Sequence, residues 1–159
     1  VFRKNFSAQV LKANMRVVGN CEYGLILYRD KLPKFNNEGK MVFNCLEWEK
    51  DSDTPKIHPT QKPIKLLERL IRIFTDEGDV VIDPVAGSGS TLLAAMNCGR
   101  RAFGFEIKKD FHADATRLLE RRKTELEEIS QLGFSPTQIG GGNPTLFDAV
   151  LEHALTLNP

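Results

Sequence analysis

A chain of 159 residues is the length of one ordinary domain. With 41% hydrophobic and 27% charged residues it reads as a soluble globular protein, and no run is apolar enough to cross a membrane. The net charge of +1 excludes little, because a balanced total can hide a basic face. No signal peptide opens the chain, so the expected location is the cytoplasm. Cys21, Cys45 and Cys98 are odd in number and widely spaced, with no CxxC or HxxxH pair, so they read as reduced thiols and no metal site is expected. The first residue is Val1, not methionine, so the expectation is a chain that was processed, cut or taken from a longer one.

In chain order, residues 21–28 (Cys-Glu-Tyr-Gly-Leu-Ile-Leu-Tyr) have the aromatic and aliphatic makeup of a strand. Residues 29–41, with Pro33, Asn36, Asn37 and Gly39, form a polar loop, and residues 51–55 a second. A helix follows Lys62, since Pro63 suits a first turn and Leu67, Leu70, Ile71 and Phe74 share one face. Gly78 is expected to end it. Val80, Val81 and Ile82 form a short strand, apolar on both faces as parallel central strands are. A helix over 91–98 stops at Gly99, a strand occupies 102–107, and Asp110 is expected to cap a long helix reaching about Ile129. Its face is Phe111, Ala115, Leu118, Leu119, Leu126 and Ile129, opposite a mixed-charge face that includes Arg117, Glu120, Arg121 and Arg122. Strand, loop, helix, strand, helix is a βαβ unit. Gly133, Ser135, Pro136 and the triple glycine 140–142 mark a flexible connection, followed by an amphipathic segment over 146–157. The organisation is therefore a strand and loop region over 1–57, a βαβ core over 58–129, and a linker with a terminal amphipathic helix over 130–159.

The run Asp83-Pro84-Val85-Ala86-Gly87-Ser88-Gly89-Ser90-Thr91 sits where that strand meets that helix, the place at which open α/β sheets bind ligands. Three chemistries share such a loop. A phosphate-binding loop needs Gly-Lys-Ser/Thr, but Gly89 is followed by Ser90. A dinucleotide fold wants a third glycine packing helix on strand, where Thr91-Leu92 stands here. S-adenosylmethionine has no pyrophosphate and asks only for a glycine bend and an acid. Gly87 and Gly89 let backbone approach the ligand, the helix start at Ser90 and Thr91 can meet a carboxylate, and Asp83 favours an ammonium or sulfonium. Glu106, in Phe105-Glu106-Ile107, lies about 20 residues beyond the loop, the separation of a ribose-binding acid in such folds. The competing readings are a capping acid for Asp83 and a solvated strand end for Glu106.

His58-Pro59-Thr60-Gln61-Lys62-Pro63, the glycine loop, and Glu106 together resemble the DNA amino-methyltransferases, in the order of their β group. Phe2-Arg3-Lys4-Asn5, Glu22-Tyr23 and Pro33-Lys34-Phe35-Asn36 extend the resemblance to about residues 1–125. Val85 and Ser90 depart mildly from the family's usual Asp-Pro-Phe-x-Gly-Ser-Gly-Thr-Thr. The resemblance implies a Rossmann-like α/β methyltransferase fold. It implies methyl transfer from S-adenosylmethionine to adenine N6 or cytosine N4 of double-stranded DNA, with the base flipped out of the stack. It implies a cofactor site of Thr60, Gln61, Lys62, Asp83, Val85, Ala86, Gly87, Ser88, Gly89, Thr91, Glu106 and Ile107, with Lys62 near the methionine carboxylate. His58 reads as a polar loop residue. Restriction-modification and a homodimer are within the family's range.

The family's Asp/Asn/Ser-Pro-Pro-Tyr/Phe motif, which holds the target amino group, is absent: Asn143-Pro144-Thr145-Leu146 has one proline too few and no aromatic. In the β group that motif precedes the region matched by this chain, so the expectation is a C-terminal portion, with an incomplete sheet, that does not methylate DNA alone. The strand beside Val80–Asp83 would then be missing and its edge unpaired, a liability for self-association. Lys4, Lys12, Arg16, Lys31 and Lys34 are candidate phosphate contacts. Arg100 and Arg101 sit at a helix–strand turn and read as structural. The rival readings are a non-catalytic S-adenosylmethionine-binding module that completes or regulates another subunit, and an NAD-dependent Rossmann enzyme. Nicotinamide binding would favour the latter. An Asp-Pro-Pro-Tyr motif upstream in the reading frame would favour the enzyme over the module.

Overall fold

A computed structural model describes residues 1–4, 10–12, 17–49 and 61–134. Its elements are strands β1 (Phe2–Lys4), β2 (Val10–Lys12), β3 (Val17–Val18), β4 (Cys21–Glu22) and β5 (Leu46–Trp48), helix α1 (Ile64–Phe74), strand β6 (Val80–Asp83), helix α2 (Ser90–Asn97), strand β7 (Arg101–Gly104) and helix α3 (Lys109–Gln131). The sheet is α/β and in pieces. β1 lies between β4, antiparallel, and β5, parallel; β2 and β3 form an antiparallel pair; β6 and β7 form a parallel pair with Asp83 opposite Gly104.

The predicted βαβ unit is present as β6–α2–β7, followed by α3. α2 is buried nearly all round: Leu93, Ala94, Ala95 and Cys98 form the core with Ile64 and Ile71 of α1, and Leu118 and Leu119 of α3 pack against them. Val81 and Ala102 contribute from the strands. Burying these side chains is the main favourable term holding the layer together. The opposite face of β6 and β7 is bare. Val80, Ile82 and Phe103 are exposed, as is Phe105 just beyond β7. The strand reads as apolar on both faces, and the described residues cover one.

α1 packs against α2. Glu68 lies beside Asn97, Arg100 donates to the carbonyl and hydroxyl of Thr75, and Glu77 lies against Gly99, so their C-terminal ends are tied together. Arg100 is structural, as its position at the turn suggests. Pro63 and Lys62 stand just before α1, and the glycine loop just before α2.

Several local expectations need correction. Residues 21–28 are a strand only at Cys21–Glu22, because Tyr23 to Tyr28 have no partner strand among the described residues and stand exposed. α1 ends at Phe74, where Thr75 takes an extended conformation; Gly78, at φ +80°, makes the following turn instead. The strand expected over 102–107 is Arg101–Gly104, because Phe105 onward turns toward α3. α3 begins after Lys108, with Asp110 inside its first turn rather than capping it. Most importantly, Arg122 is not on a solvated face. It is 4% exposed, and its Nε donates to Asn97 Oδ1 at 2.7 Å, while Asn97 in turn donates to Glu68 Oε1 at 2.8 Å. A buried Glu68–Asn97–Arg122 chain thus joins all three helices. The amphipathic segment over 146–157 lies outside the described residues.

Candidate cofactor site

Because β6 and β7 are parallel, their C-terminal ends finish together, and the chain beyond each meets the other. The Phe105 N–H donates to the Asp83 carbonyl (3.0 Å) and the Ala86 N–H to the Phe105 carbonyl (2.8 Å), so the two loops are laced side by side. Asp83 Oδ1 accepts the Val85 N–H at 3.0 Å. Glu106 Oε2 accepts the Gly87 N–H at 2.9 Å, and its Oε1 accepts the Lys108 N–H at 2.8 Å. The two acids do converge on one loop: Asp83 shapes its beginning, and Glu106 holds its apex from the neighbouring strand. Asp83 therefore serves as a local cap of its own loop.

The glycines earn their positions by conformation. Gly87 (φ +54°) and Gly89 (φ +75°) are left-handed, which L side chains resist. A Cβ at Gly87 would meet nothing within 4 Å, so the loop apex faces open space. A Cβ at Gly89 would come 3.2 Å from that of Ala115, so this glycine lets α3 pack against the start of α2. At Gly104 a Cβ would strike Ala86 and Leu92. The third close approach of helix to strand is thus achieved from β7, where the spacing of loop glycines gave no hint of it.

α2 opens with no side-chain cap, so backbone N–H groups of its first turn remain to be satisfied. The hydroxyls of Ser88 and Ser90, both buried, pair with each other at 2.7 Å. Thr91 is half-buried in the first turn of α2, and Ala86 half-buried in the loop. Val85 and Ile107 are 78% and 97% exposed, an apolar side chain from each of the two adjoining loops. An open glycine apex, an uncapped helix start, two carboxylates and two exposed aliphatic groups fit a ligand with an anionic end, a diol and a flat apolar ring.

The remaining expected site residues behave differently. Thr60 and His58 lie outside the described residues. Gln61 and Lys62 lead into α1, and Lys62 Nζ is 3.1 Å from Glu22 Oε2 and 5.2 Å from the centre of the Trp48 ring. Lys4 joins the same group, donating to Glu22 Oε1 at 2.6 Å with its Nζ 4.6 Å from that ring. Burial pushes the Glu22 carboxyl up, but hydrogen bonds from Lys4 and then Lys62 outweigh it and hold it below the usual range. Of the expected phosphate contacts, Lys4 is therefore engaged and mostly buried, and Lys34 is paired with Asp76 and, at 3.2 Å, with Asp79. Lys31 is exposed; the side chain of Lys12 and all of Arg16 lie outside the description. The contacts of Glu22 and Trp48 with Lys62 were not legible, since neither stands near it in sequence.

Comparison with known proteins bears on the same residues. The N6/N4 methyltransferase family, described as DNA methylase, matches residues 9–117. The type II methyltransferase M2.DpnII of Streptococcus pneumoniae is 48% identical over 99 residues, covering 58% of this chain and 36% of that protein. The DNA adenine methyltransferase YhdJ of Escherichia coli K12 is 38% identical over 90 residues, covering 55% and 31%. Among solved structures, the complex of M1.HpyAVI with SAM aligns with a TM-score of 0.60 at 30% identity, covering 74% of this chain and 59% of that one. The chain spans less than half the length of the curated relatives it matches.

Proposed function

This chain belongs to the N6/N4 DNA methylase family, and from that premise we propose that it supplies the S-adenosylmethionine-binding part of a site-specific DNA amino-methyltransferase. The observation that carries the reading is the lacing of Glu106 to the Gly87 N–H at the shared C-terminal end of β6 and β7. In this reading the Glu106 carboxylate, oriented by the Gly87 and Lys108 N–H groups, is the acid that accepts from the ribose hydroxyls. The first turn of α2 and Lys62 receive the methionine carboxylate, and Asp83 lies on the side of the ammonium. Val85 and Ile107 flank the adenine. The bound cofactor supplies an electrophilic methyl group. The chain's own residues bind and orient it, toward an exocyclic amino group of adenine or cytosine in double-stranded DNA.

The catalytic half is proposed to come from outside these residues. The Asp/Asn/Ser-Pro-Pro-Tyr/Phe sequence is absent. Among the described residues β6 pairs with β7 alone, leaving one edge unpaired and one face bare. Tyr23 to Tyr28 have strand composition and no partner strand among the described residues. An unpaired apolar edge is a template for further strands, and both features support added strands beside β6.

Isothermal titration calorimetry of the chain with S-adenosylmethionine tests the reading. One site per chain is expected, weakened at least tenfold by Glu106→Ala. Absence of heat at millimolar cofactor, with the chain folded by circular dichroism, would reject it. Methyl transfer to DNA by the 159 residues alone is expected at background; clear turnover would overturn the divided arrangement.

A further inference from the structure

Lys62 precedes α1 and, in the reading above, receives the methionine carboxylate, yet it is bound to a carboxylate from another part of the chain. Glu22 is shared: Lys4 takes Oε1 at 2.6 Å, and Lys62 takes Oε2 at 3.1 Å. The two lysines are not equivalent. The Lys4 side chain is 14% exposed and that of Lys62 44%. Both ammonium groups lie within cation–π range of Trp48, which is itself buried in β5. Two ammonium groups on one carboxylate leave the group with a surplus positive charge. If Lys62 departs, Glu22 keeps its shorter bond to the better-buried Lys4, so no carboxylate is stranded.

We propose that Glu22 is a positioning residue that parks Lys62 against Trp48 and yields it to the carboxylate of the bound nucleoside. This rests on the cofactor reading above and adds to it the occupant of Lys62 before binding. The exchange swaps one ion pair for another, so its cost is small, and a lysine stem has the freedom to swing. Lys4 stays behind as the permanent partner. Trp48, the single tryptophan of the chain, reports the departure.

The test titrates the full chain with S-adenosylhomocysteine, which carries the amino-acid carboxylate, and with adenosine, which lacks it. Calorimetry and Trp48 emission are followed in parallel. S-adenosylhomocysteine is expected to change the emission, and adenosine to bind without changing it. Lys62→Met removes the emission change and weakens S-adenosylhomocysteine about tenfold, with adenosine unaffected. Glu22→Gln frees Lys62 and tightens S-adenosylhomocysteine about threefold, the scale of a part-exposed ion pair. The inference is overturned if S-adenosylhomocysteine binds while Trp48 emission stays constant, or if Glu22→Gln weakens both ligands alike, which would mark Glu22 as merely structural. If neither ligand binds the folded chain, the cofactor reading itself fails, and the inference with it.

Discussion

Replacing Asn97 by alanine tests the buried chain that joins the three helices. Asn97 is fully buried, and its amide both donates to Glu68 and accepts from Arg122. Glu68 is 2% exposed and would keep, among the described residues, Arg72 at 3.5 Å. Arg122 would keep Glu125 at 3.0 Å, while its NH2 already lacks a partner among the described residues. Each lost bond joins a neutral amide to a buried charge, worth about 1.5–3 kcal/mol. Asn97→Ala should therefore cost about 3–6 kcal/mol, a large part of the ~5–15 kcal/mol that holds an ordinary domain. Urea unfolding followed by far-ultraviolet circular dichroism measures it. The triple replacement Glu68→Leu, Asn97→Leu, Arg122→Met should recover much of the loss, because the penalty lies in stranded charges rather than missing volume. A single-mutant loss below about 1 kcal/mol, or a triple variant less stable than the single one, would refute this reasoning.

Four further outcomes follow from the same structure. Gly87→Ala should abolish cofactor binding in calorimetry with a melting temperature only slightly lowered, whereas Gly89→Ala, which presses on Ala115, should lower the melting temperature markedly; equal melting shifts would contradict the difference in space. Ellman's reagent at pH 8 should titrate Cys21 and Cys45 but not Cys98, whose thiol burial pushes up to about 11; rapid reaction of a third thiol in the folded chain would count against it. The native Glu22 carboxyl lies below its ordinary value of 4.5, so its contribution to stability is present above that pH and is lost as pH falls through the lower native value. Glu22→Gln should flatten that part of the acid unfolding curve, and an unchanged curve would deny the pairing. Ile82→Lys, on the bare face of β6, should reduce concentration-dependent association of the isolated chain in sedimentation; a wild-type chain that stays monomeric at high concentration would remove the premise.

The glycine loop was legible because its requirements are local. Left-handed conformations at Gly87 and Gly89 and the strand–loop–helix order follow from residues adjacent in sequence. Glu106 was legible because a parallel βαβ unit returns the second strand to the same end after a nearly constant number of residues. Even there, strand length was overestimated: Phe105 and Ile107 look like strand residues but belong to the turn that carries Glu106 to the loop. Residues 23–28 show the same limit, since β-propensity expresses itself only where a neighbouring strand accepts the hydrogen bonds.

Three-dimensional packing alone decided the rest. Arg122 sits among charged neighbours at helical spacing, and nothing in that spacing says that Asn97 and Glu68 close over it. Lys62 reads as a free cation beside a helix start until the N-terminal sheet brings Glu22, Lys4 and Trp48 against it. Local spacing thus determined the glycine bend and the strand–loop–helix order around it, because those depend on dihedral angles and strand order. Which charges are paired, and which faces stay bare, depended on contacts between residues far apart in the chain, whose energies exist only once the layers have met.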